Sequence, residues 1–119
     1  MEVVNVFDKF ELFNQHWTPH VLGELNGQSV KIAKLEGEFV WHHHDHEDEL
    51  FWVLKGQLKI EFRDKTLTLN ENEFVIVPRG VEHKPVAENE VWVMLFEPSE
   101  TLNTGNVQSE RTVKDLKKI

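Results

Sequence analysis

The sequence contains no cysteine. That one absence excludes disulfides, thiolate zinc sites and cysteine nucleophiles together, and it accords with a reducing compartment. Nor is there an apolar run approaching the roughly 20 residues that a membrane-crossing helix needs. The opening stretch MEVVNVFDKFELF mixes acids among its apolar residues. It lacks the basic start, apolar middle and small-residue cleavage site of a secretory leader, so the expected location is cytoplasmic, with no membrane partner. Basic residues are in the minority, 13 against 21 acidic ones, for a formal net charge of −8. Phosphate binding wants clustered Lys and Arg, so nucleic acid is not an expected partner. The one basic cluster, Arg111, Lys114, Lys117 and Lys118, reads as a solvated tail or the last turn of a short helix. No internal repeat, Pro/Gly-rich linker, Gly-rich phosphate loop or nucleophile elbow occurs. A chain of 119 residues suits one domain, so residues 1–119 are expected to share a single core.

What is present is a series of short strands. From about residue 29, runs rich in Val, Ile, Phe and Trp alternate with turn signals every eight to twelve residues, the pattern of a sandwich or barrel. The expected strands are Val30–Leu35, Glu38–His44, Glu49–Leu54, Leu58–Phe62, Thr66–Leu69, Phe74–Val77, Glu82–Ala87 and Val91–Phe96. The expected barrel core thus spans about 29–97. Phe7–His16 is ambiguous between a short helix and irregular chain. Two strands, Leu50–Leu54 and Val91–Phe96, are apolar on both faces and must be covered on both. Either a second subunit, giving a homodimer, or the N-terminal thirty residues would supply that cover.

The chemistry gathers in Trp41-His42-His43-His44-Asp45-His46-Glu47-Asp48-Glu49. Residues two apart on a strand share a face, so His42 and His44 project together and His43 projects away. Two imidazoles on one face are a ready pair of metal ligands. Glu49 opens the next strand and would lie across from them if the two strands form a hairpin. His83, after the Pro78–Gly80 turn, is available as a fourth ligand, although a lone histidine is more often a hydrogen-bonded surface residue. Imidazoles with a carboxylate suit Zn, Fe, Mn, Ni or Co better than Ca or Mg. His46 sits in the turn and could guard an entrance. His16 and His20 have no evident role. Asp48, Glu82, Arg79 and Lys84 flank the cluster and read first as solvated surface charges, and Trp41, Trp52 and Trp92 as core or interface packing.

The stretch from Gly37 to Gly56 reads Gly-x4-His-x-His-x4-Glu-x6-Gly, and a second reads Pro78-x-Gly80-x2-His83. Together they resemble the two sequence motifs of the cupin superfamily, in order and at the expected separation. Three positions depart: four residues, not five, separate the leading Gly from the first His, Asn72 stands for a Gly, and Ala87 for an Asn. None of these is a ligand position. The fuller pattern, with Val77-Pro78-x-Gly80-Val81-Glu82-His83-x-Pro85 and Asn103-Thr104-Gly105, is similar to small single-domain cupins of bacteria, a group without one agreed activity. The resemblance implies an all-β double-stranded β-helix (jelly-roll) barrel, here with a short N-terminal helix and a C-terminal tail, usually dimeric. It implies that His42, His44, Glu49 and His83 hold one divalent transition-metal ion in the barrel mouth. It also implies a small polar or anionic ligand, with three outcomes open: a metal-dependent enzyme of oxygenase or isomerase type, a non-catalytic binding module, or a purely structural metal tie.

Overall fold

The computed structural model describes residues Met1–Ile119. One short helix, α1 (Val6–Phe10), precedes seven strands: β1 (His20–Leu25), β2 (Gln28–Glu38), β3 (Glu49–Lys55), β4 (Leu58–Phe62), β5 (Thr66–Leu69), β6 (Phe74–Val77) and β7 (His83–Pro98). They pair in the order β1-β2-β7-β3-β6, with β4 joined to β7 and to β5. Every pairing is antiparallel. The 16-residue β7 is the hinge of the fold. β2 pairs with both parts of it, β4 with its first part only and β3 with its last, so one strand serves both layers of the barrel.

Strand alternation explains the core. Odd-numbered residues of β2, β3 and β7 point inward, and Ala33, Leu35, Phe51, Val53, Val91, Val93 and Leu95 meet Leu58, Ile60, Leu69 and Val77 there. Val53, Val91 and Val93 are wholly buried. Each such side chain contributes roughly 1.5–3 kcal/mol relative to its exposed state. The outer face is covered only in part. Phe10 of α1 stacks on Trp92 at 4.6 Å, and Phe13, Leu22 and Ile32 complete this second cluster. Asn5 caps the helix by accepting from the Asp8 amide at 3.0 Å. Farther along the same face Trp52, Phe74 and Ile76 stay exposed.

Several expected boundaries are corrected. Glu38–His44 is not a strand of its own: β2 runs through Gly37 to Glu38, and the histidines follow on irregular chain tied by one bridge, His42 to His83. The segments Glu82–Ala87 and Val91–Phe96 are one strand. Its register with β2 jumps from Leu35–Val91 to Gly37–Ala87, so three residues of β7 bulge past the single Glu36. β1 lies ahead of the expected barrel start, and an irregularity between Val21 and Gly23 breaks its in–out alternation. The basic tail forms no helix. It returns to β1, where Val21 bonds Lys117 and Ile119 at 2.9 and 3.0 Å. Asn72 adopts φ +66°, taking the left-handed conformation a glycine would supply.

Candidate metal centre

His42, His44, Glu49 and His83 are all buried, and one ligand atom from each lies within 4.8 Å of the others. Their routes into the site differ from the expected hairpin. Glu49 opens β3, which pairs with β6 and β7 and not with the histidine segment. His83 opens β7 and is bridged to His42 by two backbone bonds, 3.1 and 2.9 Å, that draw the two motifs together. Parity does hold at the histidines: His42 and His44 are buried, while His43 turns away to Asp45, 2.8 Å from its Nε2.

Ring orientation is set by the backbone. The Nδ1 of His42 lies 2.9 Å from the Val40 carbonyl, and that of His83 lies 2.9 Å from the Val81 carbonyl. Each ring therefore carries its proton on Nδ1 and turns a bare Nε2 inward, the tautomer a metal requires. Glu49 Oε1 stands 3.4 Å from the Nε2 atoms of both His44 and His83. None of these three buried atoms has a hydrogen-bond partner of suitable geometry. Buried polar atoms are nearly always paired, so three unpaired ones converging on one point match the donor set of a divalent transition metal.

Residues 28–97 match the family model of the Cupin domain. The chain belongs to the cupin family. A cupin-2 domain protein from Shewanella frigidimarina NCIMB 400 is similar in structure, with 52% identity and a TM-score of 0.80 over 81% of this chain and 94% of that one. Protein NMB1881 of Neisseria meningitidis shares 28% identity and a TM-score of 0.76 over 82% of this chain and all of that one. The uncharacterized protein YdbB of Bacillus subtilis (strain 168) is 44% identical over 64 residues, 53% of this chain. This cupin spans 57% of the length of that curated relative.

Charge at the site follows from burial and neighbours. Burial, then the nearby His83, lowers the His42 pKa to about 4. Burial also opposes a charged His44, but the Glu49 carboxylate outweighs it and raises that ring. For Glu49 burial works upward, yet His44, His83 and Glu97 together hold it well below the usual carboxylate range. Glu49 is thus an anion ready for a cation.

A cavity of about 40 Å³ adjoins the cluster and reaches His42 and Glu49. Its remaining wall is largely apolar, with Trp17, Leu35, Phe39, Phe51 and Leu95 among it. Glu97 also opens onto it, and the β3–β7 register, which pairs Leu50 with Phe96, places Glu97 opposite Glu49 on the inward face. Lys31 donates to Glu97 at 3.0 Å, with both side chains almost wholly buried. Burial, then the Glu49 charge, pushes the Glu97 carboxyl well up in the metal-free protein. Sequence reasoning missed both residues. Their signal was parity: Lys31 falls in the inward row with Ala33 and Leu35, and Glu97 in that with Val93 and Leu95.

The remaining candidates have other partners. Arg79 pairs with Asp48, Arg63 with Glu82, and Lys84 with Glu38 and Glu61. Trp41 lies under the Arg63 guanidinium at 3.9 Å and is only half-buried, so it is not core. His46 is exposed on the outer rim, His16 pairs with Glu90 at 2.7 Å, and His20 stacks on Phe13 at 4.0 Å. Residues 101–113 cross beside the mouth, where His43 and Asn106 bond and Arg111 lies over Trp17 at 5.3 Å.

Proposed function

We propose that this cupin holds one divalent transition-metal ion (Zn, Fe, Mn, Ni or Co) on His42, His44, Glu49 and His83 and binds a small polar or anionic molecule beside it. The observation that carries this reading is the convergence of His44 Nε2, His83 Nε2 and Glu49 Oε1, buried and without partners. When bound, such an ion supplies Lewis acidity or oxygen activation. The chain's own part is to hold the ligand atoms, keep Glu49 ionised and exclude bulk water with apolar walls. Three neutral imidazoles and one carboxylate against a divalent cation leave a net charge of +1, which attracts anionic or chelating oxygen.

The cavity at His42 and Glu49 supports an open site over a structural tie, because structural sites are closed and ligand-binding ones are not. A metal-dependent reaction of oxygenase or isomerase type is the leading reading, and a non-catalytic small-molecule module is the second. Metal analysis of the purified protein followed by a metabolite screen separates them. Near-stoichiometric transition metal with metal-dependent turnover supports the enzyme. Metal with binding alone supports the module. A protein purified without metal that fails to take up any of the five ions overturns both.

The homodimer belongs to the same proposal. Exposed Trp52 and Phe74 are cross-strand partners, and Ile76 continues their row on β6, an edge strand paired on one side only. The N-terminal segment covers the β2–β7 half of this face and leaves that patch bare. A two-fold-related copy would cover it with the same patch. No helix is long and apolar enough to cross a membrane, and a cytoplasmic location is proposed with the rest.

A further inference from the structure

Glu97 is an inward-facing acid beside the four-residue cluster and outside it. It is 2% exposed, and it sits on β7 opposite Glu49, facing the same cavity. One carboxyl oxygen, Oε1, accepts from Lys31 Nζ at 3.0 Å, while Oε2 has no partner. A buried ion pair built only for stability would satisfy both oxygens and be sealed from the cavity. Here Lys31, which also reaches the Thr101 carbonyl at 3.5 Å, holds one oxygen, and the other lies beside the Glu49 carboxyl without a hydrogen bond of suitable geometry. A polar atom so placed wants a hydrogen-bonding partner from whatever enters.

We infer that Glu97, held by Lys31, selects the ligand of this site, and that the ligand is a small molecule with a hydroxyl next to its metal-binding oxygen, of the 2-hydroxy acid class. The inference rests on the metal reading given above and adds the substrate class to it. A hydroxyl both donates and accepts, so it satisfies Oε2 whichever carboxyl of the Glu49–Glu97 pair carries a proton. The anionic end answers the net positive charge of the metal cluster. The size follows from the cavity, whose 40 Å³ and apolar walls admit a body of a few heavy atoms. A buried acceptor left unpaired discriminates strongly against an analogue that lacks the donor.

The test uses the full chain loaded with Co²⁺, read by its visible absorption during titration with glycolate and with acetate. Chelation by the metal favours glycolate in any protein, so the decisive quantity is the change in the glycolate-to-acetate affinity ratio. In the double variant Lys31→Met/Glu97→Leu, with Co²⁺ still stoichiometric, that ratio is expected to fall at least tenfold while acetate affinity holds. An unchanged ratio in a metal-loaded variant overturns the inference and leaves the metal reading standing. Failure of the wild-type chain to bind Co²⁺ overturns the metal reading itself, and the inference with it. Should the double variant not fold, Glu97→Asp, which keeps the charge opposite Lys31 but withdraws the carboxyl by one methylene, is titrated with the same two ligands. The glycolate-to-acetate ratio is expected to fall at least tenfold, and an unchanged ratio in that Co²⁺-loaded variant overturns the inference.

Discussion

His43 and Asn106 are joined by a reciprocal pair of hydrogen bonds: the His43 amide donates to the Asn106 side chain at 2.9 Å, and the Asn106 amide donates to the His43 carbonyl at 3.0 Å. The residue between His42 and His44 is thereby pinned to the chain that follows β7. Asn106→Ala removes one bond, worth about 1 kcal/mol, and loosens the backbone that sets His42 and His44. Metal affinity is expected to fall about tenfold, as for other groups that orient ligands, and the metal-free melting temperature by only a few degrees. Competition against a chromogenic chelator measures it.

Gly105 adjoins that clamp, with φ +57° and space for no side chain: an added Cβ would stand 2.2 Å from the His43 carbonyl oxygen. Gly105→Ala therefore forces the two segments apart as well as straining its own backbone. A loss of about 2 kcal/mol or more is expected in urea denaturation. An unchanged midpoint would show that residues 101–113 do not press on the histidine segment in solution.

Removal of metal should destabilise the protein. Occupancy at 100-fold above the dissociation constant adds roughly 2.7 kcal/mol to folding stability. Chelator should lower the wild-type melting temperature by several degrees and leave His42→Ala and Glu49→Ala unmoved, since both should purify with little metal. Scanning calorimetry with and without chelator checks this. Full metal content in either variant would remove that residue from the donor set.

The pH dependence of the metal-free protein has a defined sign. The His42 pKa drops from 6.5 to about 4 on folding, because burial and then His83 disfavour its charge. The unfolded chain binds this proton first as pH falls. The stability it contributes is therefore complete above 6.5 and lost as pH drops towards 4, on the order of 3 kcal/mol in all. His44, raised by Glu49 against the opposing effect of burial, works the other way: its contribution is present below its ordinary value and lost as pH rises through the raised one. The measure is accordingly the stability difference between wild type and His42→Gln in urea. That difference should shrink from pH 7 to pH 4, and a constant difference would refute the assignment.

Oligomeric state is tested at the bare part of the outer face. Trp52→Glu and Phe74→Lys alter exposed residues and leave the inward rows untouched. Light scattering after size exclusion should show a dimer for wild type and a monomer for each variant. A monomeric wild type rejects the proposed interface.

The four cluster residues were legible in the sequence because strand parity and motif spacing both survive folding, even where the histidines leave the regular ladder. The path by which Glu49 arrives was not legible. Adjacency in sequence suggested a hairpin, whereas β3 pairs with the apolar strands β6 and β7, whose side chains match its own better than those of the His-rich segment. Lys31 and Glu97 escaped notice because a charged side chain in an alternating strand looks solvent-facing until the register of two neighbours is known. Trp17, buried with φ 57°, belongs to the same class: its place depends on a backbone conformation that composition does not announce.

The bulge in β7 constrains how this chain can change length. Between the pairs Leu35–Val91 and Gly37–Ala87, β7 carries two residues more than β2, an even surplus, so His83 and Glu97 at its two ends both face inward. Deleting one of Glu88, Asn89 and Glu90 would rotate everything on one side of the cut by half a period, turning either the imidazole or the acid outward. Removing two would shorten the loop and leave both where they are. Indels at this exposed spot should thus be tolerated in pairs and rejected singly.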